Sequence, residues 1–226
     1  MMHITFYAHA SFRLEDERRT VITDPYTPGP DGAGFAPIDE PADLVLMSST
    51  TDRFHSDPSH IRGNPTVVDT LALPLEGAVI ADLPVRPFPA MENLNHDFGR
   101  DPDANAMYLF TIGGLRVLHM GDIGNPLDAE QLDALRGQVD ILLALAGARA
   151  TIALDDLDAA IAAIGPRVII PMHYYSPRGV LKILPVDEFL ARYPEEMITR
   201  VAGPTLELTP GTLPATTRIY VLEQSR

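Results

Sequence analysis

Leu115-Arg116-Val117-Leu118-His119-Met120-Gly121-Asp122 and Arg167-Val168-Ile169-Ile170-Pro171-Met172-His173 are the stretches whose reading decides the fold. Each is an apolar run of strand length that stops at a metal-competent side chain, Asp122 in the first and His173 in the second. Continuous apolar runs mark strands buried on both faces, which points to layered α/β architecture. Loops at strand ends are where a rigid scaffold presents chemistry. A carboxylate and an imidazole both suit a borderline cation such as zinc, so the pair has the makings of half a metal site.

Working outward, the first half of the chain is dense in strand signals. Ile4 to Tyr7, Ser11 to Leu14 and Thr20 to Thr23 alternate or run apolar, and the charged stretch Glu15 to Arg19 reads as a hairpin turn. A Pro- and Gly-rich segment, Pro25 to Pro41, reads as a surface or active-site loop. Asp43 to Met47 is another buried strand, and Thr66 to Val68, Ala78 to Ala81 and Val85 to Phe88 are further ones. A polar loop, Met91 to Asn105, leads to a hairpin with arms Ala106 to Ile112 and Leu115 to Met120, joined by Gly113-Gly114. Beyond it, strands alternate with helices. Asp128 to Arg136, Leu154 to Ile164 and Val186 to Tyr193 read as helices, the second ended by Gly165-Pro166. Val139 to Leu145, Arg167 to Ile170, Ile198 to Val201, Thr205 to Leu208 and Thr217 to Leu222 read as strands. No linker or repeat divides the chain, so residues 1–226 are expected to form one domain.

Composition narrows the function. The net charge of −14 repels phosphate backbones, which argues against nucleic acid as a general partner and leaves room for a local basic pocket for a small anion. Cysteine is absent, so any metal must be held by His, Asp, Glu or water; the usage fits a cytoplasmic protein. No apolar stretch has the length to span a bilayer, and the N-terminus has no signal-peptide pattern. A homo-oligomer is compatible with the sequence, which does not fix the oligomeric state.

Several polar residues could carry chemistry. His9, between two strands, reads on its own as a turn histidine bonded to backbone. Asp24, before Pro25, reads either as a turn former or as an acceptor that orients a ligand histidine. Asp52 and His55, three apart, could meet one ion if the loop turns there; the alternative is that Asp52 caps a helix. His60 reads as a surface residue. Glu92 and His96 are four apart in a polar loop and are either ligands or solvated. His119 lies within a strand and reads as a satisfied core histidine or one supporting a ligand.

The order of these features resembles the metallo-β-lactamase superfamily. The residues that carry the resemblance are His9-Ala10-Ser11, Asp24-Pro25, the strand Asp43 to Ser48, His119-Met120-Gly121-Asp122 and Ile170-Pro171-Met172-His173-Tyr174. The nearest branch looks like the stand-alone hydrolases similar to L-ascorbate-6-phosphate lactonase. The resemblance implies a four-layer αββα sandwich with metals in a cleft at one edge of its two sheets. It makes Asp122 a carboxylate shared by two metals and His173 a ligand of the second. Where the family has His-x-His-x-Asp-His, this chain has Ser49-Thr50-Thr51-Asp52-Arg53-Phe54-His55. Read without a gap, Ser49 and Thr51 replace the histidines of the first metal, and Arg53 and Phe54 replace the Asp-His pair. Arg53 would add positive charge where cations should sit. The third family histidine falls near Glu92, or His96 serves instead.

The resemblance therefore implies a hydrolase with an altered centre. It would hold one divalent ion rather than two, zinc or manganese, through some of Asp52, His55, His96, Asp122 and His173. The substrate would be a small ester, lactone or phosphorylated metabolite, attacked by a metal-activated water. Asp52 or Glu92 is the candidate general base. The alternative is a metal-free relative serving as a ligand-binding or interaction module.

Overall fold

The computed structural model describes residues 1–51, 53–91 and 105–226. An antiparallel meander opens the chain: β1 (Met2–Ala8), β2 (Ser11–Glu15) and β3 (Thr20–Thr23). β4 (Leu44–Met47) and β5 (Thr66–Asp69) then join it in parallel. A second meander follows, made of β6 (Ala78–Ile80), β7 (Leu83–Ala90), β8 (Asn105–Ile112) and β9 (Leu115–His119). Gly113 and Gly114 both have positive φ, 59° and 76°, as the primed turn of a two-residue hairpin requires. Next come α1 (Ala129–Leu135), β10 (Ile141–Leu145), α2 (Leu154–Ile164), β11 (Val168–Met172) and α3 (Val186–Leu190). β12 (Ile198–Arg200), β13 (Thr205–Leu208) and β14 (Arg218–Val221) close the chain. Each strand read from the sequence has a counterpart among these elements.

The strands form two sheets. One has the order β13-β1-β2-β3-β4-β5, the other β12-β14-β11-β10-β9-β8-β7-β6. β9, β10 and β11 run parallel at the centre of the second sheet, and every residue of β10 and β11 is buried. This is why their sequences read as unbroken apolar runs. Between the sheets lies the main core, where Phe6 and Phe12, directly opposite across β1 and β2, stack at 4.7 Å. The same core takes in Leu157, Ala160, Ile161 and Ile164 from one face of α2. α2 stops at Gly165, which adopts the left-handed conformation at φ 68°, and α1 starts on a capping box between Asp128 and Gln131. Among the described residues no helix is long and apolar enough to cross a membrane.

The outer face of the first sheet is covered differently. Tyr7, Ile22, Val45 and Met47 pack there against Tyr26, Ala33, Phe35 and Ile38. The segment 25–41, whose composition reads as a surface or active-site loop, thus supplies a structural layer of irregular chain. His60 is part of the same arrangement rather than a surface residue. It accepts a hydrogen bond from Ile38 N at Nδ1 (2.9 Å) and donates from Nε2 to Tyr26 O (2.8 Å), pinning two turns of the segment. His60→Ala is expected to destabilise the protein by about 1–3 kcal/mol, because it strands two backbone groups beside buried residues. Arg62→Ala, which breaks an exposed pair with Asp39, should change stability by less than about 0.5 kcal/mol. Urea unfolding of the two variants measures the contrast.

Candidate metal centre

Five connections converge at one edge of the sandwich. The β1–β2 turn carries His9, the end of β3 carries Asp24, the chain after β4 carries His55, and the ends of β9 and β11 carry Asp122 and His173. His173 N donates to His9 O at 2.7 Å, joining the two sheets where the imidazoles gather. His9, Asp24 and His173 all have left-handed backbone, at φ 58°, 40° and 51°. Such conformations cost on the order of 1–3 kcal/mol each in a non-glycine residue and concentrate at functional sites. Gly121 is the complementary case, with φ 60° and no room for a side chain. A Cβ there would lie 2.4 Å from Asn105 Oδ1 and 2.8 Å from Ala106 O. Only glycine lets the chain turn this tightly and deliver Asp122 into the site.

The buried side chains of His9, His55 and His173 each offer a ligand atom, and these atoms lie within 4.8 Å of one another. The Asp122 carboxylate sits among them, 3.3 Å from His55 Nε2 and 3.2 Å from His173 Nε2. In a tetrahedral zinc site with bonds of about 2.1 Å, neighbouring ligand atoms are about 3.4 Å apart. His9 Nε2 is buried without a hydrogen-bond partner, which in a folded protein calls for a water or an ion. Three imidazoles and one carboxylate are a donor set suited to a borderline divalent cation.

Asp24 fixes this arrangement from behind. Its buried carboxylate accepts from Ser48 N (2.8 Å), Ser48 Oγ (2.6 Å) and Tyr108 OH (3.0 Å). It also bonds His55 Nδ1 at 2.9 Å, which turns the Nε2 edge of that ring toward Asp122. Burial alone would raise the Asp24 carboxyl, but the neighbouring imidazoles of His119 and His55 and the hydrogen bonds it accepts hold it below the usual carboxylate range. Asp122 behaves likewise: burial opposes its charge, and facing His55 and His173 brings it well below that range. His9 is pushed well below the usual imidazole range, first by burial and then by the other two imidazoles, so it stays neutral with a lone pair to give. His119 is not available for coordination. Its Nε2 donates to Ala10 O at 2.8 Å and its Nδ1 accepts from Gly121 N at 2.9 Å.

Of the residues singled out from the sequence, His55, Asp122 and His173 come together here. Asp52, Glu92 and His96 lie outside the described residues. Arg53 does not bring charge into the site: its guanidinium stacks on Phe54, 5.0 Å from the ring centroid, and donates to Asp31 O. Ser49 and Thr51 bond each other through their hydroxyls at 2.8 Å. His9 was the residue that a reading of the sequence in isolation placed in a turn and no further. Its signal was the turn itself: a two-residue hairpin connection, His9-Ala10, without the Gly, Asn or Asp that such turns prefer.

Two sheets thus carry a buried cluster of three histidines and one carboxylate at their edge. A family model described as "Beta-lactamase superfamily domain" matches residues 3–173, and the chain belongs to that superfamily. It is 24% identical to a UPF0173 metal-dependent hydrolase of Thermococcus onnurineus, over 77% of this chain and 85% of that one. With the corresponding protein of Carboxydothermus hydrogenoformans the identity is 29%, over 76% and 84%. A solved structure from Thermotoga maritima, described as a Zn-dependent hydrolase of the metallo-beta-lactamase superfamily, superposes with a TM-score of 0.77 at 27% identity over the whole of both chains.

Asp24→Asn should weaken divalent-metal binding by about 10–100-fold, the usual effect of losing the carboxylate behind a ligand histidine, as read by competition with a chromogenic chelator. Gly121→Ala should destabilise the fold by about 2–4 kcal/mol, combining left-handed backbone with overpacking, as read by denaturant midpoint.

Proposed function

We propose that this chain is a metal-dependent hydrolase that works with one divalent ion, zinc or manganese, on a small molecule containing an ester, lactone or phosphoester linkage. The observation that carries the reading is the convergence of His9, His55, His173 and Asp122, all buried and delivered partly by strained backbone. These four residues would hold the ion. When bound, it would supply an acidified water and polarise the bond to be cleaved. The protein's own part is positioning. Asp24 takes the Nδ1 side of His55 and keeps that ring aimed into the site. His119 and Gly121 brace the turn that presents Asp122. The His173–His9 backbone hydrogen bond keeps two of the donors at a fixed separation. The names of the similar proteins from Thermococcus onnurineus and Carboxydothermus hydrogenoformans support hydrolysis as the reaction class.

Chelator-stripped protein reloaded with zinc or manganese should hold one ion per chain by elemental analysis. His9→Ala combined with His173→Ala should reduce that at least tenfold. At a hundredfold excess over Kd the ion adds about 2.7 kcal/mol, which for a chain of this size raises Tm by roughly 5–10 °C. Affinity should fall on acidification, because protons compete for the same imidazole nitrogens. Metal content near zero after reloading overturns the proposal.

A further inference from the structure

The parallel strands β11, β14 and β12 are neighbours in the second sheet, and a cavity of about 430 Å³ opens at their carboxyl ends. In sheets of parallel strands that edge is where ligands lodge, and the volume is one that small molecules fill. The floor is apolar: Val221 and Leu222 are buried there, beside half-buried Val201 and the ring of Tyr174. Tyr174, which follows His173, also lines the small space beside His9, so it stands between the cavity and the metal centre.

The polar groups around this floor are mostly donors. Arg178 and Arg200 are exposed at the rim. Arg178 donates to Gln224 O (3.0 Å), and Arg200 to the exposed carboxylate of Asp187 (2.6 Å). A guanidinium has several N–H groups in a planar fork, so each keeps donors to give. Gln224 holds its Nε2 buried without a hydrogen-bond partner, which calls for an acceptor. The Tyr174 hydroxyl donates to Leu222 O over 3.4 Å, longer than the roughly 2.8 Å of a good O–H···O bond. Burial pushes this hydroxyl up to about 12, against the pull of Arg200 and with the help of Asp187, so it stays a donor. Glu223, exposed, is the one carboxylate lining the cavity among the described residues. Two guanidinium groups outnumber it, in a chain whose net charge is −14.

Donors of this kind need an acceptor with more than one oxygen, and a carboxylate presents two that a guanidinium takes side by side. The floor needs carbon beside it, because a bare hydrated anion gains nothing from Val201, Val221 and Leu222. We propose that the cavity is a binding site for a small organic carboxylate with an apolar flank, separate from the metal centre. The site is built from residues that the hydrolase reading does not use.

Calorimetry on the full chain reloaded with zinc tests it, with phenylacetate, acetate and the uncharged phenylacetamide as probes. Phenylacetate should bind roughly tenfold more tightly than the amide, through charge-assisted bonds, and roughly tenfold more tightly than acetate, through the buried ring. Arg178→Met and Arg200→Met remove exposed guanidinium groups. Each should lower phenylacetate affinity at least fivefold and leave phenylacetamide within twofold, with Tm and zinc content unchanged. Saturation of the zinc with acetohydroxamate should leave phenylacetate affinity as it was. If acetohydroxamate abolishes that affinity, the carboxylate sits on the ion and the proposal is overturned. Arginine variants that bind phenylacetate like the parent chain, acetate as tight as phenylacetate, or no binding at about 10 mM overturn it too. A chain that holds no zinc overturns the hydrolase reading alone, and the same titration on it still decides the cavity.

Discussion

The carboxylate of Asp24 is the interaction on which the site depends. It is fully buried, and a buried carboxylate is tolerable only when its lone pairs are occupied by well-placed donors. The donors come from separate elements: Ser48 from the end of β4, Tyr108 from β8 in the opposite sheet, and His55 from the connection beyond β4. One group thus ties the two sheets together and sets the orientation of one metal-facing imidazole. Tyr108 stacks on His119 at 4.8 Å, and His119 in turn braces the Gly121 turn, so the path from Asp24 to Asp122 is continuous packed structure. The hydroxyl of Tyr108 is pushed well above its ordinary range, by burial first and then by Asp24, and stays a donor at all working pH values.

Backbone strain sits beside this network. His9, Asp24 and His173 occupy left-handed conformations that glycine would adopt more easily. Glycine would relieve strain at each and remove the donor atom that the centre requires. The cross-sheet hydrogen bond from His173 N to His9 O offsets part of that cost by locking the two strained turns to each other. Stability and site geometry are therefore set by the same few contacts.

How far the sequence could be read follows from the range of each interaction. Strand periodicity, the Gly113-Gly114 turn and the Gly165 helix stop are local, and the elements they indicate are present in the structure. Asp122 and His173 stood out because each ends an apolar strand. His9 did not, since its role arises from the meeting of β1 with β11, partners from different sheets separated by most of the chain. The segment 25–41 was legible as a loop, and it forms no helix or strand, but not as a packing layer. Its Pro and Gly content is that of a loop, but Tyr26, Phe35 and Ile38 are spaced irregularly and pack on the sheet without helical or strand periodicity. His60 looked like surface because its partners are backbone groups, which no side-chain pattern reveals.

The departure from the superfamily's His-x-His-x-Asp-His pattern acquires a physical sense in this geometry. Ser49 and Thr51, at the positions of the first two histidines, satisfy each other and offer a cation only neutral hydroxyls. His55, one residue beyond the expected register, still reaches the centre, while Phe54 lies against the His9 ring at 5.5 Å and Arg53 stacks on Phe54. Among the described residues the donor set is three imidazoles and one carboxylate.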